Sequence, residues 1–462
     1  MTRTEIQKVM DEQGAHYELK KEIGEGGQGS VWETQYDKIL VKRFRKISKE
    51  QRDKIYRRMK YVMLRTDLPD QEIATPKAFL ADPDSGYVME LMDEMVSMGT
   101  LIKPTRQKDV LKWYKESGAI RRRIQLLHRL SRTLVDLHSA GFVFGDLSPS
   151  NIFVSEDSDH NEVQLIDCDN LVLISESDSK LHTPRYAAPE LVRGERVHTS
   201  MTDAYSFASV AYELLTLNHP LIGDFVANGD PELEEQAFRG ELPWVEDEED
   251  DRNAHSGGLP SDKVIFPSLK KLFIKTFSGT RDPWLRPSMQ EWHEALEYVL
   301  HGFLKCDYCG SYFPYNKDYI CPFCYDENNP QKKDRGNLLI LRFMRWEPEA
   351  EVGKRILNLK ELHLPTMILN KGETIEIPSS LSFWDKGSIQ FSFEEDTLYV
   401  ELKGSEDLRV VNRKMIGNDI DEGQSRSLKV GKRLPIKQRN EIFHFGDLEK
   451  PHRIVAFYWG QK

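Results

Sequence analysis

Residues 144–154 of the chain read FGDLSPSNIFV, and residues 165–169 read LIDCD. In both stretches, polar residues stand beside a short apolar run of the kind that forms a buried strand. Asn151 follows Asp146 by five residues, and Asp167 follows Asn151 by sixteen. One carboxylate can orient a hydroxyl nucleophile, while an amide and a second carboxylate can hold Mg²⁺ against phosphate groups. These two stretches therefore predict a site for phosphoryl transfer.

A glycine-rich stretch, GEGGQGSV at residues 24–31, lies upstream between two strand-like segments. Because glycine has no Cβ, the backbone amides around Gly24, Gly26 and Gly29 can close over phosphate groups. Taken alone, such a hairpin is more often only a turn. Lys42 follows Gly29 by thirteen residues and lies within a predicted strand, where its ammonium could pair with nucleotide phosphates. An isolated lysine in a strand is more often a surface residue.

Composition limits the classes of function. The 462 residues include 64 Lys and Arg against 75 Asp and Glu, which gives a formal net charge of -11. This length predicts two or three folding units. The acidic balance argues against nucleic acid as the main partner, because phosphate backbones select basic surfaces. The chain contains no run of about 18 apolar residues and begins without the apolar core of a signal peptide, so we expect a soluble, cytoplasmic protein without a membrane partner.

The spacing of apolar residues predicts a small β-rich lobe followed by a helical one. One charged helix is expected over residues 49–63, and a second runs from Ile120 to Leu137 and stops before Gly141. Strand-like runs in the first lobe cover residues 19–23, 31–34, 39–44 and 87–91. The acidic run at residues 246–251 is interpreted as a solvated loop within the helical lobe.

Three further motifs follow in order: Ala188-Pro-Glu190, the stretch DAYSFA that begins at Asp203, and Arg286-Pro-Ser288. Together with the preceding motifs they resemble the protein-kinase superfamily over residues 17–300. The resemblance implies a two-lobed α+β kinase fold and an ATP-dependent Ser/Thr protein kinase that uses Mg²⁺ or Mn²⁺ and acts on a protein substrate. Glu190, Asp203 and Arg286 would brace the catalytic and activation segments.

The resemblance assigns a role to each matching position. Asp146 would be the catalytic aspartate, assisted by Lys42, and Asn151 and Asp167 would bind Mg²⁺. The residues implied to bind the nucleotide are Gly24, Gly26, Gly29, Val31, Lys42, Met89, Glu90 and Met92.

The catalytic loop departs from the family pattern at two positions. Gly145 replaces the arginine that commonly receives an activation-loop phosphate, so we expect activity without that phosphorylation. Ser148 replaces a lysine that steadies the transferred phosphoryl group, which predicts slow transfer unless another cation substitutes. These losses support an alternative function, a nucleotide-binding pseudokinase scaffold that recruits partners.

The metal-binding motif also departs from the pattern, because Asp167-Cys168-Asp169 stands where Asp-Phe-Gly is usual. Asp169 either joins the metal site or caps a turn. Cys168 is interpreted as a small apolar filler rather than a redox sensor. The helix after Lys42 offers only Glu50 and Asp53 as partners for that lysine, and the sequence does not choose between them.

Gly145-Asp146, Asp167-Cys168-Asp169 and Cys321-Pro-Phe-Cys324 together resemble a divergent bacterial group of kinase-like proteins with a cysteine cluster behind the catalytic domain. Some members of that group are associated with tellurite and other stress responses, with phosphatase partners and with von Willebrand-type partners. The resemblance implies the same kinds of partner here.

Four of the five cysteines form two Cys-x-x-Cys pairs, Cys306/Cys309 and Cys321/Cys324, separated by eleven residues. This spacing is typical of two knuckles that hold Zn²⁺ with four thiolates. Because four sulfur ligands leave no open position, the metal is expected to be structural. The alternative is a set of unrelated reduced cysteines.

The region behind the cysteines is predicted to be an all-β sandwich, from strand-like runs such as residues 374–377, 389–393, 398–402 and 454–459. The strand order and Gly446-Asp447 resemble a forkhead-associated domain, a phosphothreonine reader. The phosphate-binding residues of that family are not found, so a general protein-interaction or substrate-docking domain is preferred.

The sequence therefore predicts five segments. They are an N-terminal extension (1–16), a kinase domain (17–302, small lobe 17–92 and large lobe 93–302), a zinc ribbon (303–327), a linker (328–336) and a β-sandwich (337–462) that resembles forkhead-associated domains.

Overall fold

The fold is described here from a computed structural model. It describes residues 7–25, 29–64, 72–103, 109–174, 183–278, 282–315, 320–324, 338–349, 356–358, 366–377, 387–405, 408–416, 419–420, 424–436, 441–445 and 449–459. The chain divides into two compact units, Met1–Glu294 and Ala295–Lys462. Within the described ranges, no helix combines the length and the apolar character that a membrane span requires.

The first unit begins with a small lobe built mainly from strands. Its elements are β1 (Lys8–Met10), β2 (His16–Glu18), β3 (Glu22–Glu25), β4 (Gly29–Glu33), β5 (Ile39–Phe44), α1 (Lys49–Met63), β6 (Ala78–Phe79) and β7 (Gly86–Glu90). Five strands form an antiparallel sheet in the order β3-β4-β5-β7-β6, and β1 pairs with β2 in a separate hairpin. The predicted bounds of β5 and α1 are confirmed.

The hairpin of β1 and β2 belongs to the core of the small lobe. Val9 and Leu19 pack with Val41 and Val88 of the sheet in one buried cluster. The predicted N-terminal extension, where the structure describes it, therefore contributes a core residue. The short strand β1 alternates exposed and buried positions, and a single buried valine is too weak a pattern to reveal a strand in the sequence.

Helix α1 has a capping box at its start and an apolar face toward the sheet. The Ser48 side chain accepts a hydrogen bond from the backbone of Gln51, and the Gln51 side chain accepts one from the backbone of Ser48. Tyr56 and Met59 are buried on the inner face. The Tyr56 hydroxyl also donates to the Gly86 carbonyl at 2.7 Å. The helix is thereby attached to β7.

The large lobe of the first unit is mainly helical. Its elements are β8 (Met95–Ser97), α2 (Val110–Glu116), α3 (Ala119–Ser139), β9 (Phe142–Val143), β10 (Ile152–Ser155), β11 (Val163–Leu165), β12 (Val172–Leu173), α4 (Pro189–Val192), α5 (Ser200–Thr216), α6 (Asp224–Ala227), α7 (Pro231–Phe238), α8 (Ser261–Val264), α9 (Pro267–Phe277) and α10 (Met289–Leu300). Strand β10 pairs with β8 and β11, and β9 pairs with β12. These short pairs carry the FGDLSPSNIFV and LIDCD stretches.

Helix α5 is the buried centre of this lobe, and its Asp203 holds the chain that leaves β9. The two Asp203 carboxylate oxygens accept hydrogen bonds from the backbone N–H groups of Phe144 and Gly145, at 2.6 and 3.0 Å. The ring of His138 lies 3.0 Å from the same carboxylate. A buried carboxylate with several donors is well compensated. Asp203 therefore fixes the backbone immediately before Asp146.

Glu190 at the start of α4 and Arg286 form a buried bidentate ion pair. The two hydrogen bonds measure 2.7 and 2.8 Å, and both side chains are almost fully buried. Arg286 also stacks over the ring of Tyr205 in α5. The pair joins three distant segments of the large lobe, as the family resemblance implied.

Replacing Arg286 with methionine should destabilise the first unit by about 3–5 kcal/mol, because the Glu190 carboxylate would stay buried without its partner. The measurement is urea-induced unfolding followed by tryptophan fluorescence. Arg252→Met is the matched control, since Arg252 pairs with Asp250 at the surface, where loss of the pair should leave the unfolding midpoint almost unchanged. Equal midpoints for the two variants would contradict the bracing role of Arg286.

The second unit consists almost entirely of strands. They are β13 (Phe303–Lys305), β14 (Tyr312–Pro314), β15 (Leu338–Trp346), β16 (Ile356–Asn358), β17 (Thr366–Asn370), β18 (Thr374–Ile377), β19 (Gly387–Glu394), β20 (Thr397–Gly404), β21 (Leu408–Ile416), β22 (Asp419–Ile420), β23 (Gln424–Leu428), β24 (Arg433–Ile436), β25 (Glu441–His444) and β26 (His452–Trp459). An eight-stranded sheet follows the order β16-β15-β26-β25-β21-β22, with β17 on β15 and β23 on β21. A four-stranded sheet has the order β18-β19-β20-β24.

The two large sheets of this unit share one hydrophobic core. Leu341 and Phe343 of β15 and Phe457 of β26 belong to the same buried cluster as Phe391 of β19 and Val400 of β20. Alternate residues of β15, β17, β19, β20 and β26 enter this cluster, as expected when one face of a sheet is buried. The predicted strand 374–377 has the expected bounds. The predicted linker, 328–336, and Gly446-Asp447 lie outside the described residues.

Candidate functional site

Lys42 is the centre of the candidate site in the first unit. It lies on β5, opposite Val31 of β4 and Tyr87 of β7, and only 4 % of its surface is exposed. Its Nζ atom lies 2.9 Å from Asp167 Oδ1. It also lies 2.9 and 3.2 Å from the two carboxylate oxygens of Asp169. The strand lysine is therefore a buried ion-pair partner and not a surface residue.

A tight turn after β11 brings both carboxylates to Lys42. Asp167 adopts a left-handed backbone conformation (φ 62°, ψ 51°), and a 3-10 turn follows over Cys168–Asn170. Such a conformation is uncommon for a residue with a side chain and is often found at functional sites. Cys168 is buried in this turn, and burial raises the pKa of its thiol well above the ordinary value. The thiol is therefore protonated, in line with an apolar filler.

Burial and charge shift the pKa of Lys42 in opposite directions, whereas they shift the pKa of Tyr87 in the same direction. Burial alone would lower the pKa of Lys42, but Asp169 and Asp167 outweigh it, so the pKa is raised and the ammonium stays charged. Burial raises the pKa of Asp167 despite the nearby Lys42, and Asp169 adds to the increase. Tyr87 donates a hydrogen bond to Asp169 at 3.1 Å. Burial and the Asp169 charge together raise the pKa of Tyr87, which keeps its hydroxyl protonated.

Asp146 and Asn151 lie in the loop between β9 and β10, next to the turn just described. The Asn151 side-chain amide donates to the Asp146 carbonyl at 2.8 Å and lies 3.4 Å from its carboxylate. The Asp146 carboxylate also accepts a hydrogen bond from the backbone N–H of Thr183, at 2.8 Å. The backbone N–H of Ile166 donates to the Asn151 carbonyl at 3.0 Å. The bond between Ile166 and Asn151 connects the FGDLSPSNIFV and LIDCD stretches.

The glycine-rich hairpin lies on β3 and β4. Gly24 pairs with Val31, which faces Lys42 across the sheet. A Cβ at Gly29 would lie 2.1 Å from the Arg43 carbonyl oxygen, so only glycine fits there. Gly26 falls outside the described residues.

The predicted adenine-binding residues lie at the end of β7. Met89 is half-buried and pairs with Leu40 on β5. Glu90 is exposed and forms an ion pair with Lys77 at 2.8 Å, and Met92 follows the strand as a half-buried residue. The nucleotide-binding role of these residues stays a prediction.

The cluster around Lys42 consists of Lys42, Asp167, Asp169 and Tyr87. The sequence interpretation missed the roles of two of these residues. Asp169 was read as a metal ligand or a turn cap, and its contact with Lys42 was not considered. Tyr87 was read only as part of a strand. Both contacts join positions far apart in sequence, 127 residues for Lys42 and Asp169 and 82 for Tyr87 and Asp169. The available signal was the missing helix glutamate, which left the lysine without an assigned partner.

The structure gives a reason for glycine at position 145. Gly145 has φ 83°, and a Cβ added there would lie 3.2 Å from the Asn170 carbonyl oxygen and 3.7 Å from the His198 ring. The chain therefore leaves little room for the arginine of the usual pattern. At the other divergent position, Ser148 is buried and its hydroxyl lies 2.8 Å from that of Ser150.

Comparisons with known proteins agree with this geometry. The protein kinase domain family matches residues 17–295, more than half of the chain. Serine/threonine-protein kinase PknD of Chlamydia abortus is 26% identical over 233 residues, which cover 44% of this chain and 24% of that protein. Serine/threonine-protein kinase mos of Gallus gallus is 27% identical over 226 residues, which cover 45% of this chain and 63% of that protein.

A third relative, dual specificity protein kinase pyk3 of Dictyostelium discoideum, is 28% identical over 183 residues, or 39% of this chain and 12% of that protein. The fold and the site define the class, a two-lobed domain of the protein-kinase type. The chain belongs to the protein kinase family. It spans about a quarter of the length of the PknD relatives that it matches.

A separate candidate site, a metal centre, lies in the second unit. The sulfur atoms of Cys306, Cys309, Cys321 and Cys324 all lie within 4.8 Å of one another. The Cys306–Cys324 and Cys309–Cys321 sulfur separations are 3.5 and 3.7 Å. These distances are too long for disulfides. They suit thiolates around one Zn²⁺, since tetrahedral Zn–S bonds of 2.3 Å place two sulfurs about 3.8 Å apart.

Gly145→Ala should destabilise the first unit more than Gly141→Ala, although both glycines have nearly the same positive φ, 83° and 84°. The left-handed conformation alone costs about 1–2 kcal/mol, and it applies to both variants. A Cβ at Gly141 meets nothing within 4 Å. The difference between their thermal unfolding midpoints therefore reports the crowding at position 145. Equal midpoints would show that the loop has room for a larger residue.

Proposed function

We propose that this chain is an ATP-dependent protein serine/threonine kinase that uses Mg²⁺ or Mn²⁺ and transfers the γ-phosphate of ATP to a protein hydroxyl. The observation that carries the proposal is the pairing of Lys42 with Asp167 at 2.9 Å, next to the Asp146–Asn151 loop. A phosphate-binding cation, a metal-binding carboxylate and a hydroxyl-orienting carboxylate must lie together for this reaction. The kinase relatives named above support the same activity.

Asn151 and Asp167 are the residues proposed to hold the metal ion. The Asn151 amide nitrogen donates to Asp146, which leaves the amide oxygen as the atom for a cation. Asp167 supplies a carboxylate, and the two residues form the oxygen donor set that Mg²⁺ prefers. The ion would neutralise charge on the phosphates.

Asp146 is proposed to orient the substrate hydroxyl and to receive its proton. Hydrogen bonds from Thr183 and Asn151 restrain its carboxylate, so the orientation of the base is set before substrate arrives. In the reaction the hydroxyl oxygen bonds to the γ-phosphorus while the bond to the β–γ bridging oxygen breaks. ADP leaves with the electron pair of that bond.

Lys42 provides the positive charge proposed for the phosphates. Ser148, in place of the usual lysine, leaves the transferred group with one fewer cation, which favours a low turnover number. The alternative, a pseudokinase scaffold, predicts nucleotide binding without transfer. The converging Lys42, Asp146, Asn151 and Asp167 favour a catalyst over a scaffold.

Asp146→Asn should lower phosphate incorporation from γ-labelled ATP by at least about 100-fold, because the hydroxyl proton loses its acceptor. Asp167→Ala should lower it similarly through loss of a metal ligand. The measurement is incorporation into the protein itself and into candidate partner proteins, with Mg²⁺ and separately with Mn²⁺.

Asp262→Asn is the matched control, since Asp262 is an exposed aspartate paired with Lys263, and it should retain the wild-type rate. If the wild type transfers no phosphate while ATP still raises its melting temperature, the scaffold function replaces the kinase function.

For the second unit we propose a structural zinc ribbon over residues 303–327 and a β-sandwich over residues 337–462 that docks protein partners. The sulfur geometry of the cysteine cluster supports the ribbon, and the shared core of the two sheets supports the sandwich. Three further statements stay predictions from the sequence. They are a relation of the sandwich to forkhead-associated domains, partners of the phosphatase and von Willebrand types, and a cytoplasmic location.

The purified chain should contain one zinc equivalent, and Cys309→Ser should bring it well below half an equivalent, because the described residues offer four sulfur ligands and no fifth ligand for this site. Elemental analysis after gel filtration measures the content. Cys168→Ala is the control, since Cys168 lies in the other unit and should leave the zinc content unchanged. Retention of a full equivalent by Cys309→Ser would contradict four-thiolate binding.

A further inference from the structure

The lysine cluster contains one more carboxylate than the proposed reaction uses. Asp167 is the proposed metal ligand, yet Asp169 lies equally close to Lys42, with Nζ–oxygen distances of 2.9 and 3.2 Å. Of the two carboxylates, Asp169 is the more buried, with 2 % of its side chain exposed against 30 % for Asp167. A deeply buried carboxylate is costly unless it is paired and hydrogen-bonded. The Asp169 carboxylate has both an ion pair, with Lys42, and a hydrogen bond, from Tyr87.

Tyr87 fixes Asp169 from the small lobe. Its hydroxyl donates to Asp169 Oδ1 at 3.1 Å, and its ring lies 5.8 Å from the Lys42 ammonium. Tyr87 is itself buried and faces Lys42 across the β5–β7 pair. Two neighbouring strands thus supply the two donors that hold one carboxylate of the turn.

Helix α1 contributes a cation to this turn where a carboxylate is usual. In most protein kinases a glutamate of this helix pairs with the strand lysine and must be in place for activity. The carboxylates of α1 here are Glu50, which is exposed, and Asp53, which pairs with Arg52. Arg58 of α1 instead donates a hydrogen bond to the backbone carbonyl of Asp169.

We propose that Asp169 is the positioning residue of Lys42 and takes the place of the helix glutamate. Because Asp167 is needed for the metal ion, Lys42 requires a second carboxylate that stays with it, and Asp169 meets that need. Helix α1 is connected to the pair through Arg58 and the Asp169 carbonyl. Asp169 acts on the nucleotide only through Lys42, which separates this role from that of a further metal ligand.

This inference rests on the proposed kinase function, but its test measures nucleotide binding and not turnover. The experiment is a double-mutant cycle with the full chain: wild type, Lys42→Met, Asp169→Asn and the double variant. The affinity for ATP with Mg²⁺ is measured by calorimetry at one fixed Mg²⁺ concentration. Asparagine keeps the size of the aspartate and can still accept the Tyr87 hydrogen bond.

Asp169→Asn should weaken binding about tenfold, a coupling expected within one salt-bridge network. In the Lys42→Met background the same substitution should change the affinity less than about twofold, because the lysine through which it acts is gone. A second tenfold loss in that background would show that Asp169 contacts the metal or the nucleotide directly, and would overturn the proposal. No loss in the wild-type background would overturn it as well.

Two further variants keep the result clear. Tyr87→Phe removes only one hydrogen bond to Asp169, so it should weaken binding by a smaller factor, and it serves if Asp169→Asn does not fold. Asp53→Asn on α1 is the matched control and should bind ATP as the wild type does. A tenfold loss of affinity in this variant would show that a carboxylate of the helix, and not Asp169, positions Lys42.

A wild type that binds ATP but transfers no phosphate would contradict the kinase function alone. Absence of ATP binding would contradict both the kinase function and the proposed role of Asp169.

Discussion

A buried ammonium between two carboxylates is the interaction on which the site depends. Lys42 lies in the middle of the small-lobe sheet, where an unpaired charge would be strongly unfavourable. Its partners come from the turn after β11 in the large lobe. The ion pairs therefore join the two lobes, and they place a cation beside the oxygen ligands that the proposed reaction needs.

Buried polar contacts in the large lobe hold the segments around this site in position. Asp203 holds the backbone before Asp146 by two hydrogen bonds, and the Glu190–Arg286 pair fixes the segment that ends at α4. Both devices are buried charged groups held by two or more hydrogen bonds, which makes them rigid supports. Catalytic side chains on loops gain accuracy from such supports. The loop itself can then diverge, as it does at Gly145 and Ser148.

Local patterns predicted much of this arrangement, and long-range contacts account for the rest. The spacing of apolar and charged residues predicted the bounds of α1 and β5, and motif spacing brought Lys42 and Asp167 into one proposed site. The contact between Lys42 and Asp169 could not be read from spacing, because an aspartate in a turn has local uses that are more common. The β1–β2 hairpin was missed because its strands are short and because its apolar residues are buried against strands that come later in the sequence.

The most direct test of the account is a crystal structure of the full chain with Mg²⁺ and a non-hydrolysable ATP analogue. We predict a metal ion about 2.0–2.1 Å from oxygen atoms of Asn151 and Asp167. The Lys42 ammonium should lie within hydrogen-bond distance, about 3 Å, of a phosphate oxygen. A nucleotide bound elsewhere, or a metal ion that neither residue touches, would contradict the central claim.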